Sequence, residues 1–297
     1  MATVDELHAS ATKLVGLDDF GTDDDNYREA LGVLLDAYQG EAGLTVLGSK
    51  MNRFFLRGAL VARLLSQSAW KQYPEHVDVA IKRPIFVTGL VRTGTTALHR
   101  LLGADPAHQG LHMWLAEYPQ PRPPRETWES NPLYRQLDAQ FTQHHAENPG
   151  YTGLHFMAAY ELEECWQLLR QSLHSVSYEA LAHHTTEGWS TKFVGAQIGA
   201  DAMDTWSRGL ERFNAARAKY DSAQFYDVDY HDLIADPLGT VADIYRHFGL
   251  TLSDEARQAM TTVHAESQSG ARAPKHSYSL ADYGLTVEMV KERFAGL

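Results

Sequence analysis

The chain has 297 residues, of which 44% are hydrophobic and 22% charged. That composition supplies a sizeable core, excludes a globally disordered chain, and fits one large α/β domain or one domain with a helical annex. The formal charge of −12 argues against nucleic acid as the main partner, because phosphate contacts need a basic surface, while leaving room for a local basic pocket.

A single cysteine, Cys165, excludes an internal disulfide framework and suits a reducing cytoplasm. It sits in ELEECWQLL, where neighbouring carboxylates disfavour a thiolate, and reads as a buried helix cysteine. The opening MATVDELHAS is acidic and polar, unlike a secretory signal. No run of about 18 apolar residues exists to span a membrane.

Residues 1–80 read as a helical N-terminal region. LHASATKLV, NYREALGVLLDAYQGEA and NRFFLRGALVARLLSQS place apolar residues three and four apart, and Asp23–Asp25 can charge the start of the second helix. The texture changes at Pro84. IFVT is a short apolar run expected to be a buried strand, GLVRTGTT a tight loop, and ALHRLLG a helix ended by Asp105-Pro106. From Gly110 to Asn131 prolines and aromatics predict an extended loop. Helices are expected over about 133–145, 154–181 and 196–220. QFYDVDY reads as a second strand. Asp236 as N-cap and Pro237 at the first helical position open another helix, which Gly249 ends. An amphipathic helix over about 254–266 precedes a locally basic, loop-like tail.

The chemistry concentrates in Gly89-Leu90-Val91-Arg92-Thr93-Gly94-Thr95-Thr96. Its two glycines, four residues apart, match the front of a phosphate-cradling GxxxxGK[ST] loop. A helix beginning near Thr95 aims free N–H groups and a positive dipole end at an anion. Thr93, Thr95 and Thr96 add hydroxyl donors. The usual lysine position is Thr95, and the only cation is Arg92, inside the loop. No metal-holding partner strand stands out, so the loop suits an anion without an obligatory metal.

The string PIFVTGLVRTGTTALHRLL resembles the 5′-phosphosulfate loop of PAPS-dependent sulfotransferases, in the bacterial, mycobacterial-type branch that writes it GLxRTGTT. DDFG at Asp18–Gly21, HMWLAEYPQP, DVDYHDLIADPLGTVADIYRHFGL and HSYSLADYGL extend the likeness over nearly the whole chain. The resemblance implies a three-layer, P-loop-like α/β fold, with a short parallel sheet flanked by helices over residues 81–297 and the helical region 1–80 packed on it. It implies 3′-phosphoadenosine 5′-phosphosulfate (PAPS) as the donor, held through Gly89, Arg92, Thr93, Gly94, Thr95 and Thr96, with Arg92 neutralising the leaving phosphate. The family's 3′-phosphate segment, a strand ending in Arg with a later Ser, is missing between SVSYEALA and HHTTEGWS, near 180–184. Arg272 and Lys275 in the basic tail can supply part of that recognition.

Sulfuryl transfer needs cations at the leaving group and a base at the acceptor. Glu117 is the first candidate base; His112, on the same segment, and His155 follow. His183-His184 with Glu187 and His144-His145 with Glu147 match no compact ligand spacing, so no metal is expected. Trp114, Tyr118, Trp128 and Phe156 are candidates to line a pocket for a hydroxyl or amine acceptor on a small molecule, carbohydrate or lipid. Two other readings stand beside this one: an atypical P-loop kinase using Mg-ATP, and a non-catalytic nucleotide-binding relative.

Overall fold

In the computed structural model the described residues are 2–149, 156–175, 178, 188–192, 194–268 and 279–296. They form two compact units. The first comprises Met1–Lys82, Leu111–Phe141 and Ala158–Val194, and the second Arg83–Gly110, Thr142–Met157 and Gly195–Leu297.

The first unit is built on three helices: α1 (Val4–Val15), α2 (Tyr27–Gly40) and α3 (Val46–Gln72). Thr3 opens α1 with a capping box. Its hydroxyl accepts from the Glu6 amide while the Glu6 carboxylate accepts from the Thr3 amide, satisfying two donors that a helix start leaves unpaired. The apolar stripes close one core from Leu7, Ala11, Leu31, Leu35, Leu56, Leu60 and Leu64, as the spacing of three and four requires. Arg63 is buried within this helical region. Its guanidinium donates to the carbonyls of Phe20 and Thr22 at 2.7 and 2.8 Å, and to Asp25 at 2.7 Å. It thereby ties the 20–25 turn, including part of the DDFG stretch, to α3.

The short helix α5 (Met113–Glu117), a 3-10 segment Arg125–Ser130 and the first part of α6 (Pro132–Glu147) share a second core. Trp114 and Trp128 are 0% and 2% exposed and meet edge to face at 5.4 Å. These tryptophans therefore fill the core and leave no surface for an acceptor. The expected extended loop is partly helical here because tryptophan burial organises it against Tyr134 and Leu137. The expected helix over 154–181 is not formed by the described residues of that stretch. Instead the amides of Met113 and Glu163 bond to the carbonyls of Glu161 and Leu111 at 2.9 and 2.8 Å, with an antiparallel bridge between His112 and Leu162. Backbone pairing outweighs helical propensity here. Helical structure resumes only at α7 (Trp166–Leu169) and the 3-10 turn Arg170–Ser172. Cys165, expected to be buried, is exposed at the cap position of α7.

The second unit packs α4 (Thr95–Gly103) with α9 (Tyr230–Ala235), α10 (Pro237–His247) and α11 (Asp254–Ser267). α8 (Gly195–Arg217) and the C-terminal α12 (Val287–Arg293) complete it. Leu98, Leu101 and Leu102 of α4 meet Val241, Ile244 and Tyr245 of α10 and Met260 of α11. Asp236 caps α10 as its sequence predicts, accepting from the Gly239 amide at 2.9 Å. The two expected strands are extended segments without ladder partners: among the described residues only two isolated bridges exist. Ile85 and Val87, and likewise Tyr226 and Val228, pack against the core, while Phe86 is 77% exposed. Alternation with one covered side replaces the doubly buried strand expected of IFVT.

Candidate functional site

The loop ahead of α4 takes its shape from two residues in the left-handed region, Arg92 at φ 65° and Gly94 at φ 84°. Such alternation turns successive amides toward one concavity, the backbone geometry of an anion nest. Gly94 is also the cap residue of α4, and no side chain caps that helix, so the first-turn amides are not taken up by a local side-chain cap. A Cβ on Gly94 would lie 2.9 Å from the Leu233 side chain of α9, so glycine serves both the dihedral and the close approach. At the other end, a Cβ on Gly89 would stand 3.0 Å from the Thr93 hydroxyl oxygen and 3.2 Å from the Thr95 methyl. Thr93 closes the turn by donating to the Leu90 carbonyl at 2.6 Å. Arg92 and Thr93 are exposed; Thr95 and Thr96 are half-buried.

The support under this loop comes from α9, in the DVDYHDLIADP stretch. Asp229 caps α9 by accepting from the amides of His231 and Asp232 at 2.7 and 3.3 Å. That orders the helix whose Leu233 meets Gly94. The sequence reading placed Asp229 in a strand, and the contact of this helix with the loop, over a hundred residues earlier, left no local signal.

Two of the candidate bases, His112 and Glu117, lie in the first unit. His112 is the cap residue of α5. Its Nδ1 lies 2.7 Å from the Tyr160 carbonyl, which can only accept, so Nδ1 carries the proton and Nε2 is the acceptor of the neutral ring. Burial holds the His112 pKa below the ordinary value of 6.5; the Tyr160 carbonyl raises it, and the charges of Arg122 and Arg125 lower it further. The ring is edge-on to Trp128 at 4.7 Å, which fixes its plane.

Glu117 closes α5 rather than lying in an open loop. Both of its oxygens accept from Arg170, at 2.9 and 2.8 Å. The Arg170 side chain is only 5% exposed, and the carboxylate beside it outweighs the cost of burial, holding the guanidinium charged. Arg170 escaped the sequence reading because its partner is 53 residues away. Glu161 and Glu163 were also passed over as candidates, yet they are 5% and 9% exposed beside the His112 segment. Their alternation in YELEE was the available signal.

Within the same unit lies a cavity of about 920 Å³. Trp70, Tyr73 and Val79 line it, with Pro119, Leu168 and Leu169. The Glu117–Arg170 pair joins the two chain segments that carry the last three. Of the other candidates, His155, His183, His184, Glu187, Arg272 and Lys275 lie outside the described residues, as does the join near 180–184. Among the described residues no group of three or more histidine, cysteine or acidic side chains is placed to hold a metal ion. No described helix is long and apolar enough to cross a membrane.

The sulfotransferase family profile matches residues 84–187 and 180–254, two stretches that overlap at the join. Among solved structures, sulfotransferase STF1 from Mycobacterium tuberculosis H37Rv is 75% identical, with a TM-score of 0.91 over 100% of this chain and 99% of that one. Sulfotransferase STF9 from Mycobacterium avium is 21% identical, with a TM-score of 0.81 over 99% and 95% of the two chains. No curated protein sequence matches the chain.

Proposed function

The chain belongs to the sulfotransferase family, and we propose that it moves a sulfuryl group from PAPS to a hydroxyl or amine by in-line transfer. Sulfotransferase activity follows from the family. The donor, the acceptor and the residue roles are our reading, as is the three-layer arrangement around a short parallel sheet.

The observation that carries the donor assignment is the loop itself. A side-chain-uncapped helix start at Gly94 and two left-handed residues around Thr93 form a cradle suited to the donor's 5′-phosphosulfate. Gly89, Thr93, Gly94, Thr95 and Thr96 would hold that group. In the step, the bond from sulfur to the bridging phosphate oxygen breaks and a bond from sulfur to the acceptor forms. The electron pair stays on the leaving 5′-phosphate, where Arg92 and the loop amides would meet the developing charge. The acceptor proton passes to a base.

We assign that base to His112 ahead of Glu117. The neutral ring has its proton fixed on Nδ1 and presents Nε2 as acceptor, whereas both oxygens of Glu117 are committed to Arg170. Glu117 is then a positioning residue for the cavity wall, and the apolar character of Trp70, Tyr73, Val79 and Leu169 supports an acceptor with an apolar body. Arg272 and Lys275 are then the proposed contacts for the donor's 3′-phosphate.

Calorimetric titration of the metal-free protein with adenosine 3′,5′-bisphosphate, and separately with Mg-ATP, tests the donor site. We expect the bisphosphate to bind and Mg-ATP not to. Preference for Mg-ATP would overturn the PAPS assignment in favour of a nucleoside triphosphate, and silence from both would remove the loop as a donor site in this chain.

A further inference from the structure

The charge on α3 is all of one sign. In its 27 residues there are five cations, Lys50, Arg53, Arg57, Arg63 and Lys71, and no aspartate or glutamate, within a chain of net charge −12. The helix dipole favours cations only in the last turn, and Lys50, Arg53 and Arg57 lie outside both end turns. Arg63 and Lys71 are paired with Asp25 and Asp19. The side chains of Lys50, Arg53 and Arg57 make no ion pair or hydrogen bond with any described residue, and Lys50 and Arg53 are exposed. Helix stability therefore gives no reason for their placement.

The same turns expose apolar side chains. Val46 is 90% exposed, Leu47 52% and Phe54 51%. At 3.6 residues per turn, Val46, Leu47, Lys50, Arg53, Phe54 and Arg57 fall within an arc of about 120°. Further along, the same arc is buried at Val61 and Leu64, so the face leaves the core only over roughly the first three turns. Phe54 stands beside Phe55, whose ring is 6.1 Å from Trp189, and the Trp189 backbone bonds to Thr45 at the helix cap. The exposed face is thus braced from behind.

We propose that this face of α3 docks on an anionic lipid surface, with Lys50, Arg53 and Arg57 at the headgroups and Val46, Leu47 and Phe54 dipping between them. Cations and apolar side chains interleaved on one helix face meet both demands of a bilayer interface. Nucleic acid would use the cations but not the three apolar groups, and a second copy would set cation against cation. The inference concerns location and is independent of the sulfuryl-transfer reading.

The test is flotation of the full chain with vesicles of phosphatidylcholine alone and of phosphatidylcholine mixed with phosphatidylglycerol. Binding is expected to the mixed vesicles only and to fall with added salt. The double substitution Lys50→Gln and Arg53→Gln should weaken it at least tenfold. Phe54→Ser should weaken it with the salt dependence retained. The thermal unfolding midpoint of each variant should match the parent, because the altered side chains are exposed. Absence of binding to the mixed vesicles overturns the proposal. So does equal binding to both vesicle types, or a Phe54-dependent dimer in sedimentation that assigns the face to a second copy.

Discussion

Two arginines, one in each unit, show how differently the protein uses the same side chain. Arg63 is 7% exposed, bonded to three backbone carbonyls and to Asp25, with its guanidinium 3.8 Å over the Tyr27 ring. Its charge is consumed inside the fold. Arg92 is exposed on a loop at φ 65°, in a conformation that costs an L-residue roughly 1–2 kcal/mol. Its place inside the Gly89–Thr96 loop, on strained backbone, is what motivates the proposed role at the leaving group. Strain alone does not separate the two roles, since Arg83 is also exposed at φ 49° and donates to the Phe248 carbonyl.

The sharpest way to break that comparison is Arg92→Ala. Alanine pays the same left-handed penalty as arginine, so the unfolding midpoint should stay within experimental error. Turnover should fall by about 10²–10³-fold, the usual loss when one donor to a developing oxyanion is removed. Steady-state kinetics and thermal unfolding on one preparation decide it. Unchanged turnover would remove Arg92 from the reaction, and a collapsed midpoint would place it with Arg63.

Next in size is Glu117→Gln, which sharpens the comparison by testing a third arginine. Arg170 is as buried as Arg63 but depends on one carboxylate for its counter-charge. Stranding that guanidinium should cost about 3 kcal/mol of folding stability, read as a lower midpoint in denaturant. Activity extrapolated to fully folded protein should survive in large part. Loss of activity at an unchanged midpoint would return the base role to Glu117.

Legibility in the sequence followed the distance over which each feature is determined. The Gly89–Thr96 loop, the start of α4 at Thr95 and the Asp236-Pro237 opening of α10 are settled within a few residues, and each was readable. The Arg63–Phe20, Arg170–Glu117 and Gly94–Leu233 contacts join residues 43, 53 and 139 positions apart, and local pattern carries no trace of them. Trp114 and Trp128 looked like pocket walls because aromatics beside prolines suit either role; only the core formed with Tyr134 assigns them. The stretch from 156 was misread as helix because its composition suits one, while its alternation at Ala159, Glu161 and Glu163 already had the period of an extended chain.

The smallest expected effect is a shift in the pH dependence set around His112, where the comparison becomes one of tautomer and charge. Donation from Nδ1 to Tyr160 means that Nε2 accepts only while the ring is neutral. Burial, with Arg122 and Arg125, keeps its pKa below 6.5. A base with a depressed pKa is active above that value and is lost as pH falls through it. The logarithm of kcat/KM should thus run flat through neutrality and drop by one unit per pH unit on an acid limb lying below 6.5. His112→Gln should abolish that limb along with most of the rate. Arg125 offers the finer control: it stacks over Trp128 at 4.7 Å, is exposed, and is one of the two cations depressing the His112 pKa. Arg125→Gln should therefore move the limb toward neutral pH with the plateau little changed. A limb that stays in place would mean that the titrating base is another group.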